Sequence, residues 1–424
     1  MRNSERWARL ADVSYLDGEE WMKTEPTSWN NKETPEKEEH FLKDISIFQG
    51  GMGVGVSLGG LAGAVAAQGG AGTISTAQIG FREPDFTENP LKANLRAIGK
   101  ELRRARILAG SRNGEPAEGK KDYRGLIGVN IMTVTQNYGA YVKEAIKEGA
   151  DFIVSGAGLP MELPSLARGS RVKLIPVVSS LKAAAVICKR WLKKDGILPD
   201  AVLIEGPLAG GHLGFDAETA RKAAEIAQES GRVLMSDGAE KKQQRHCREW
   251  FEAEVKQIVT YLRQLGEQEG KYIPVITAGG FQNHRDLLHQ RALGADRIQV
   301  ATRFVVTEEC DAHPAFKQAY VNCKKEDIAI IKSPVGMPGR AIRNAFVQKT
   351  EKMRIAPEKC CRCISVCKPS ETPYCITQAL IRSVTGDVEN GLIFCGANAW
   401  MEERITTVKE VMASFLSGTC TGNF

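Results

Sequence analysis

The stretch Ala201–Gly214, with the sequence AVLIEGPLAGGHLG, joins a short apolar run to a glycine-rich turn that contains a histidine. The apolar run is typical of a buried parallel strand. The glycines after it let the backbone pass close to a flat ligand, and His212 lies among them. An imidazole at the carboxyl end of a buried strand suits proton transfer near neutral pH. Taken alone, the motif fits a tight turn with a surface histidine better; the rest of the chain reverses that preference.

Eight such apolar runs alternate with helical patterns along the chain. We predict strands at 45–52, 71–77, 126–132, 151–158, 173–180, 201–207, 272–280 and 297–304. Strict alternation predicts an α/β protein with a parallel sheet, and eight units predict a closed (β/α)8 TIM barrel. An open doubly wound sheet is the alternative. Its first strand should be followed by GxGxxG, which Gly51, Gly53 and Gly55 match only in part.

The chain divides by composition into three parts. Residues 1–44 are polar and charge-dense, and we expect a surface extension anchored by Trp7, Trp21 and Trp29. Residues 45–345 carry the barrel pattern, and residues 346–424 form a cysteine-rich, mostly helical cap. The tail segment 391–416 is expected to cover the barrel mouth or to form a homodimer contact.

The overall composition restricts the class of protein. Of 424 residues, 42% are hydrophobic and 25% are charged, which is ordinary for a soluble globular protein. The net charge of +6 weakly favours anionic ligands, and no basic arm predicts nucleic-acid binding. No apolar run is long enough for a secretory signal or a membrane span. We therefore expect a cytoplasmic protein that acts on a small-molecule substrate.

The residues at the predicted strand ends are mostly glycines and small polar side chains. In a barrel, all eight carboxyl-terminal strand ends meet on one face. Such a lining favours a large flat ligand that the backbone approaches closely, rather than a metal. The glycine pair Gly279–Gly280 and the run Gln299–Thr302 follow the last two strands, where barrels commonly bind phosphate. These loops predict a phosphate-bearing cofactor.

Several motifs together resemble a known family. FQGGMGVGVS (48–57), GVN (128–130), EGPLAGGHLG (205–214), TAGG (277–280), QVATRFVVTEECDAHPAF (299–316) and SPVGMPGR (333–340) resemble the nitronate monooxygenase family. They are similar also to the related flavin-dependent enoyl-acyl carrier protein reductases. Both groups are FMN-containing barrels. The resemblance implies that His212 is catalytic and that FMN contacts Gly51, Met52, Asn130, Gly211, Gly279, Gly280, Gln299, Val300, Ala301 and Thr302.

The resemblance leaves three activities open. The first is oxidation of alkyl nitronates with oxygen, in which His212 stabilises the anion or removes a carbon proton. The second is an enoyl reductase, in which NAD(P)H supplies the electrons and His212 lies near the thioester. The third is a flavin-binding protein without turnover. Two departures from the family pattern bear on the site. Ala301 stands where many relatives have glycine, and the stretch Glu205–Leu208 replaces the acidic residue often found just before AGGH.

A cysteine cluster follows the barrel pattern. Cys360, Cys363, Cys367 and Cys375 offer four thiolates within sixteen residues, enough for zinc or an iron–sulfur cluster. Their spacing matches neither a paired CxxC zinc motif nor a ferredoxin run. The alternative is a helical cap in which the thiols pack as small apolar groups.

Before this cluster, SPVGMPGR is expected to form a loop near the flavin with Met337 against the ring or substrate.

Overall fold

A computed structural model describes residues 41–110, 125–230 and 241–417, with side chains at all of these except 226–230 and 241–249. The expected anchoring of the first residues by Trp7, Trp21 and Trp29 lies outside these ranges. In the part of the chain that the structure describes, no helix is long and apolar enough to span a membrane.

Eight parallel strands close into a barrel, as the alternating pattern predicts. Each strand pairs with the next in the barrel, and the ring closes through the pairing of Phe48 with Gln299. The open-sheet alternative is therefore wrong. The barrel strands are β1 Ile47–Gln49, β2 Ala71–Ser75, β3 Leu126–Met132, β4 Phe152–Gly156, β5 Lys173–Val178, β6 Val202–Glu205, β8 Val275–Ala278 and β9 Arg297–Val300.

The helices lie between and after these strands, and each barrel strand is followed by at least one of them. Several begin with a side-chain cap, such as Ser180, whose hydroxyl accepts a hydrogen bond from the Ala183 amide. The helices are α1 Gly59–Ala67, α2 Pro90–Ala109, α3 Tyr138–Lys147, α4 Leu163–Leu166, α5 Leu181–Asp195, α6 Ala217–Ser230, α7 Lys241–Glu269, α8 His284–Ala292, α9 Thr302–Val305, α10 Pro314–Val321, α11 Ala345–Lys352, α12 Ile376–Val384 and α13 Val408–Leu416.

The barrel interior is filled by inward-pointing apolar side chains. Phe48 and Phe152 meet edge to face with ring centroids 5.4 Å apart, and Leu203 packs in the same cluster. Leu42, which the composition assigns to the N-terminal extension, is fully buried in this cluster. The Arg297 guanidinium donates a hydrogen bond of 2.7 Å to the Leu42 carbonyl. The barrel core therefore begins a few residues before the predicted boundary.

A second, smaller sheet lies outside the barrel. It is antiparallel, with the order β10 (Ile328–Lys332), β11 (Pro338–Ile342) and β7 (Gly211–His212). The prediction that 333–340 is entirely a loop is wrong, because its last three residues belong to β11. Proline is tolerated as the first residue of a strand. β11 pairs with β10, which ends at Lys332, and with β7, which is more than a hundred residues away, so local composition reveals only part of the pairing.

Candidate active site at the barrel mouth

A cavity of about 250 Å³ opens at the carboxyl-terminal ends of the barrel strands. Every residue that the sequence nominates for FMN contact or catalysis lines it. They are Gly51, Met52, Asn130, Gly211, His212, Gly279, Gly280, Gln299, Val300, Ala301 and Thr302. The barrel closure thus gathers on one face residues that are up to 251 positions apart, counting from 51 to 302. Met337 does not line this cavity, whereas Val335 does.

The glycines of the cavity have backbone geometry that other residues rarely adopt. Gly279 has φ 119° and Gly280 has φ 80°, both in the left-handed region. A Cβ atom on Gly280 would lie 2.9 Å from the Cβ of Leu208, and one on Gly51 would overlap the Asn130 side chain. Within the described residues, the amides of Gly279 and Gly280 donate no hydrogen bond. This loop therefore has no side chains at these two positions, and it offers two free amide donors to a ligand.

Gln299 leaves an acceptor in the same cavity. Its side-chain oxygen Oε1 is buried and has no hydrogen-bond partner among the described residues. A buried, unsatisfied amide oxygen costs about 1–3 kcal/mol. A ligand with an N–H group at this position would remove that cost. The isoalloxazine ring of FMN carries one such N–H, and its phosphate suits the free amides of the 279–280 loop, so the residues present fit FMN.

His212 is held from two sides. It forms β7 with Gly211 and pairs with Gly339 of β11. Its Nε2 lies 2.7 Å from the hydroxyl oxygen of Ser333, and its ring meets Phe394 edge to face with centroids 4.9 Å apart. Burial lowers the His212 pKa to about 4, because desolvation disfavours the imidazolium. His212 is therefore neutral near pH 7.

Glu205 lies at the end of β6 and also lines the cavity. Burial raises its pKa to about 8, and the positive charge of Arg340 opposes this shift. Its carboxyl makes no hydrogen bond within the described part of the chain. The sequence places Glu205 at a strand end but assigns it no role. The available signal is the alternation along β6, since Leu203 points inward and Glu205 is two residues further on.

Arg340 on β11 secures the loop that carries His212. The side chain is fully buried, and its guanidinium donates hydrogen bonds to the carbonyls of Ala209 and Ala220, the latter at 2.9 Å. Burial lowers its pKa to about 10. Arg340 therefore ties β11 to the AGGH turn and to α6. Sequence reasoning missed this role, as it missed Ser333 and Phe394, because each contact joins distant parts of the chain.

The C-terminal segment supplies one wall of the cavity. Ile364, Ile376, Leu380 and Phe394 line it from segments that follow the barrel, and most of this wall is apolar. The backbone near Ile364 is fixed to the loop after β3, since Ser365 donates a hydrogen bond of 2.9 Å to the Val134 carbonyl. The barrel mouth is thus covered on one side by the predicted cap.

The cysteine cluster is not arranged as a metal site. Among the residues that the structure describes, no group of three or more histidine, cysteine, aspartate or glutamate side chains could hold a metal ion. Cys360 is exposed, whereas Cys363 lines the cavity, and Cys367 and Cys375 are half-buried. The Cys363 carbonyl accepts a hydrogen bond of 3.1 Å from the Gln136 amide, which binds this turn to the barrel. The zinc or iron–sulfur interpretation is not supported.

The fold and site define a (β/α)8 barrel whose mouth combines a glycine-lined cavity with a half-buried histidine. The family model described as nitronate monooxygenase matches residues 35–418. The chain belongs to the nitronate monooxygenase family.

Individual relatives agree with this membership. The chain is 25% identical over 219 residues to a probable nitronate monooxygenase of Staphylococcus saprophyticus subsp. saprophyticus, and 26% identical over 219 residues to one of Staphylococcus aureus strain Newman. Each match covers 51% of this chain and 51% of the relative, so the match spans about half the length of these curated relatives.

Two solved structures share the fold over most of their length. FabK from Thermotoga maritima matches with a TM-score of 0.59 and 25% identity, covering 88% of this chain and 92% of that one. The nitroalkane oxidase from Streptomyces ansochromogenes matches with a TM-score of 0.58 and 18% identity, covering 88% and 96%. At that identity, the second likeness shows the fold alone.

Proposed function

We propose that the protein is an FMN-dependent oxidoreductase that oxidises alkyl nitronates with oxygen. The observation that carries this proposal is the position of His212, a neutral imidazole fixed by Ser333 and Phe394 inside the glycine-lined cavity. Family membership supports the same activity. When bound, FMN would supply the redox chemistry between substrate and oxygen.

The chain's own residues would bind the cofactor and the substrate. The 279–280 loop and Thr302 would hold the phosphate with amide and hydroxyl donors, and Gln299 would accept from the ring. The apolar wall of the C-terminal segment would exclude water from the substrate. In a cavity lined by backbone and neutral side chains, the shape of the glycine loops decides how closely the flat ring approaches.

Of the two roles open to His212, proton removal is favoured. A pKa of about 4 makes the imidazole an acceptor at neutral pH rather than a cation that stabilises an anion. If Nε2 carries the proton and donates to Ser333, Nδ1 is left as the base. A neutral nitroalkane would then lose its carbon proton to His212, whereas a preformed nitronate would need only to be oriented.

An enoyl reductase that uses NAD(P)H is the second candidate. The apolar wall formed by Ile364, Ile376 and Leu380 favours it, because such a wall suits an acyl chain. The likeness to FabK, at 25% identity, points the same way. A flavin-binding protein without turnover is the remaining alternative.

The decisive experiment compares the two electron donors on FMN-loaded protein. Oxygen consumption with propionate 3-nitronate is expected. With a neutral nitroalkane, which must first lose its carbon proton, oxygen consumption should fall at least 100-fold in His212→Ala with FMN content unchanged. Activity only with crotonyl thioesters and NAD(P)H would favour the reductase. Unchanged oxygen consumption with the neutral nitroalkane in His212→Ala would refute a catalytic role, and protein that does not bind FMN would refute the proposal as a whole.

A further inference from the structure

The inward positions at the strand ends are neutral with one exception. Phe48, Val154 and Leu203 belong to the buried barrel interior, and side chains two residues apart on a strand share a face. The next inward positions on these strands are therefore Gly50, Gly156 and Glu205, and all three line the cavity. Of these three inward positions, only Glu205 carries an acidic side chain.

No lysine or arginine lines the cavity in the part of the chain that the structure describes. The proposed substrate is an anion, and an ionised Glu205 would repel it across a site that water screens poorly. A protonated carboxyl would instead donate a hydrogen bond to the anion. An acid kept neutral by its surroundings is a known way to bind an oxyanion. The positive charge of Arg340 acts on Glu205 from outside the lining, but among the described residues that line the cavity no cation offsets an ionised Glu205, so a neutral Glu205 suits an anionic ligand better.

We propose that Glu205 is a substrate-binding residue that, as a neutral carboxylic acid, donates a hydrogen bond to the oxyanion of a planar conjugated substrate. A nitronate and the enolate formed from a thioester both carry such an oxygen. This inference deepens the proposed function and rests on it for the anionic substrate. It gives the site two complementary groups, since His212 is the acceptor and Glu205 the donor.

The pKa values of the surrounding groups isolate Glu205 as the titrating group. Burial lowers the pKa of His212 to about 4, raises the pKa of Glu205 to about 8 and lowers the pKa of Arg340 to about 10. Burial raises the pKa of Tyr320 and Cys395 above the usual range, and a hydrogen bond with Cys361 together with burial does the same for Cys363. Cys361 is the exception near the cavity, because a hydrogen bond with Cys363 lowers its pKa. It needs a control.

The test uses butyrate as a probe, because its carboxylate matches the shape and charge of an alkyl nitronate and does not react. Butyrate is titrated into FMN-loaded protein, and binding is read from the change in the flavin absorption spectrum. Only the protonated form of Glu205 would bind the anion, so the wild-type affinity should fall about tenfold between about pH 7 and about pH 9.

Three variants separate charge from hydrogen bonding. Glu205→Gln keeps a donor without a titrating proton, so we expect an affinity that is independent of pH and similar to that of the wild type at pH 7. Glu205→Met keeps the length and loses the donor, so binding should be weak at every pH. Cys361→Ser should retain the wild-type pH dependence. A second measurement needs no FMN: the infrared band of a protonated carboxyl should be present at neutral pH and absent in Glu205→Gln.

Several outcomes would overturn the inference. One is a wild-type affinity for butyrate that does not change between about pH 7 and about pH 9, and another is the same fall of affinity with pH in Glu205→Gln. The others are no butyrate binding at any pH and no infrared band of a protonated carboxyl. Loss of FMN from both Glu205 variants would show that the residue holds the cofactor instead. If butyrate binds with the expected pH dependence but no nitronate is oxidised, the proposed function fails while the role of Glu205 stands.

Discussion

Replacing Arg340 by methionine should destabilise the protein strongly, because this side chain joins three parts of the site. Methionine has a similar length but no donor, so the Ala209 carbonyl would lose its partner, whereas the Ala220 carbonyl lies within helix α6 and remains in the helical hydrogen-bond pattern. One unsatisfied acceptor costs about 1–3 kcal/mol, so the free energy of unfolding should fall by roughly 1–3 kcal/mol. Denaturant unfolding followed by circular dichroism measures this loss.

Arg343→Met is the matched control for that substitution. Arg343 lies three residues further on, where its guanidinium forms an exposed ion pair of 2.8 Å with Glu351. Pairs of this kind contribute about 0–1 kcal/mol, so the control should remain close to the wild type. We also expect Arg340→Met to lose FMN more readily, because the AGGH turn would no longer be tied to β11. Equal stability of the two variants would refute the assigned role of Arg340.

Three other predictions concern the same cavity. Gly280→Ala should reduce FMN retention at least tenfold, because its Cβ would lie 2.9 Å from Leu208 on a backbone with a φ of 80°. Gly270→Ala is the control, since Gly270 also has a positive φ, 65°, but lies in open space. This control should cost only about 1 kcal/mol of stability. FMN retention is measured by flavin absorbance after dialysis. Equal retention in the two variants would contradict the proposal that the 279–280 loop binds FMN. Ser333→Ala should lower kcat/KM with a nitroalkane by about tenfold, and Ser333→Thr should restore it. The neutral imidazole is lost as pH falls through the His212 pKa near 4, so Ser333→Ala should also shift the acid side of the pH profile of kcat/KM, and Ser333→Thr should reverse that shift. A pH profile that does not move would argue against positioning of His212 through this contact. Elemental analysis of anaerobically purified protein should find no stoichiometric iron or zinc. If a stoichiometric metal is found and is lost in a variant without the cysteines at 360, 363, 367 and 375, the thiols rearrange to bind it.

The barrel could be predicted because its strands are short apolar runs with regular spacing. β3 and α3 have the predicted bounds, 126–132 and 138–147, and the remaining strands lie inside the predicted stretches. The predicted strands are too long at their ends, as in 272–280, where β8 covers only Val275–Ala278. Apolar and small residues continue past the last strand hydrogen bond there, and composition alone does not mark where pairing stops.

The lining of the cavity was also predictable, since barrel topology brings every strand end to one face. The metal hypothesis for the cysteines is not supported. Spacing shows that four thiols are near one another along the chain, but a metal site needs their sulfur atoms to converge, and the described residues contain no such group.

The eightfold alternation, the glycine-bearing strand ends and the position of His212 among them could be predicted from the sequence, because they depend on local periodicity and on a topology that follows from it. The electrostatic state of the site could not, since it is established by folding. The neutral His212, the raised pKa of Glu205 and the buried Arg340 depend on desolvation and on contacts between segments far apart in the chain. Burial and long-range pairing arise only when the chain is folded, so no local pattern encodes them.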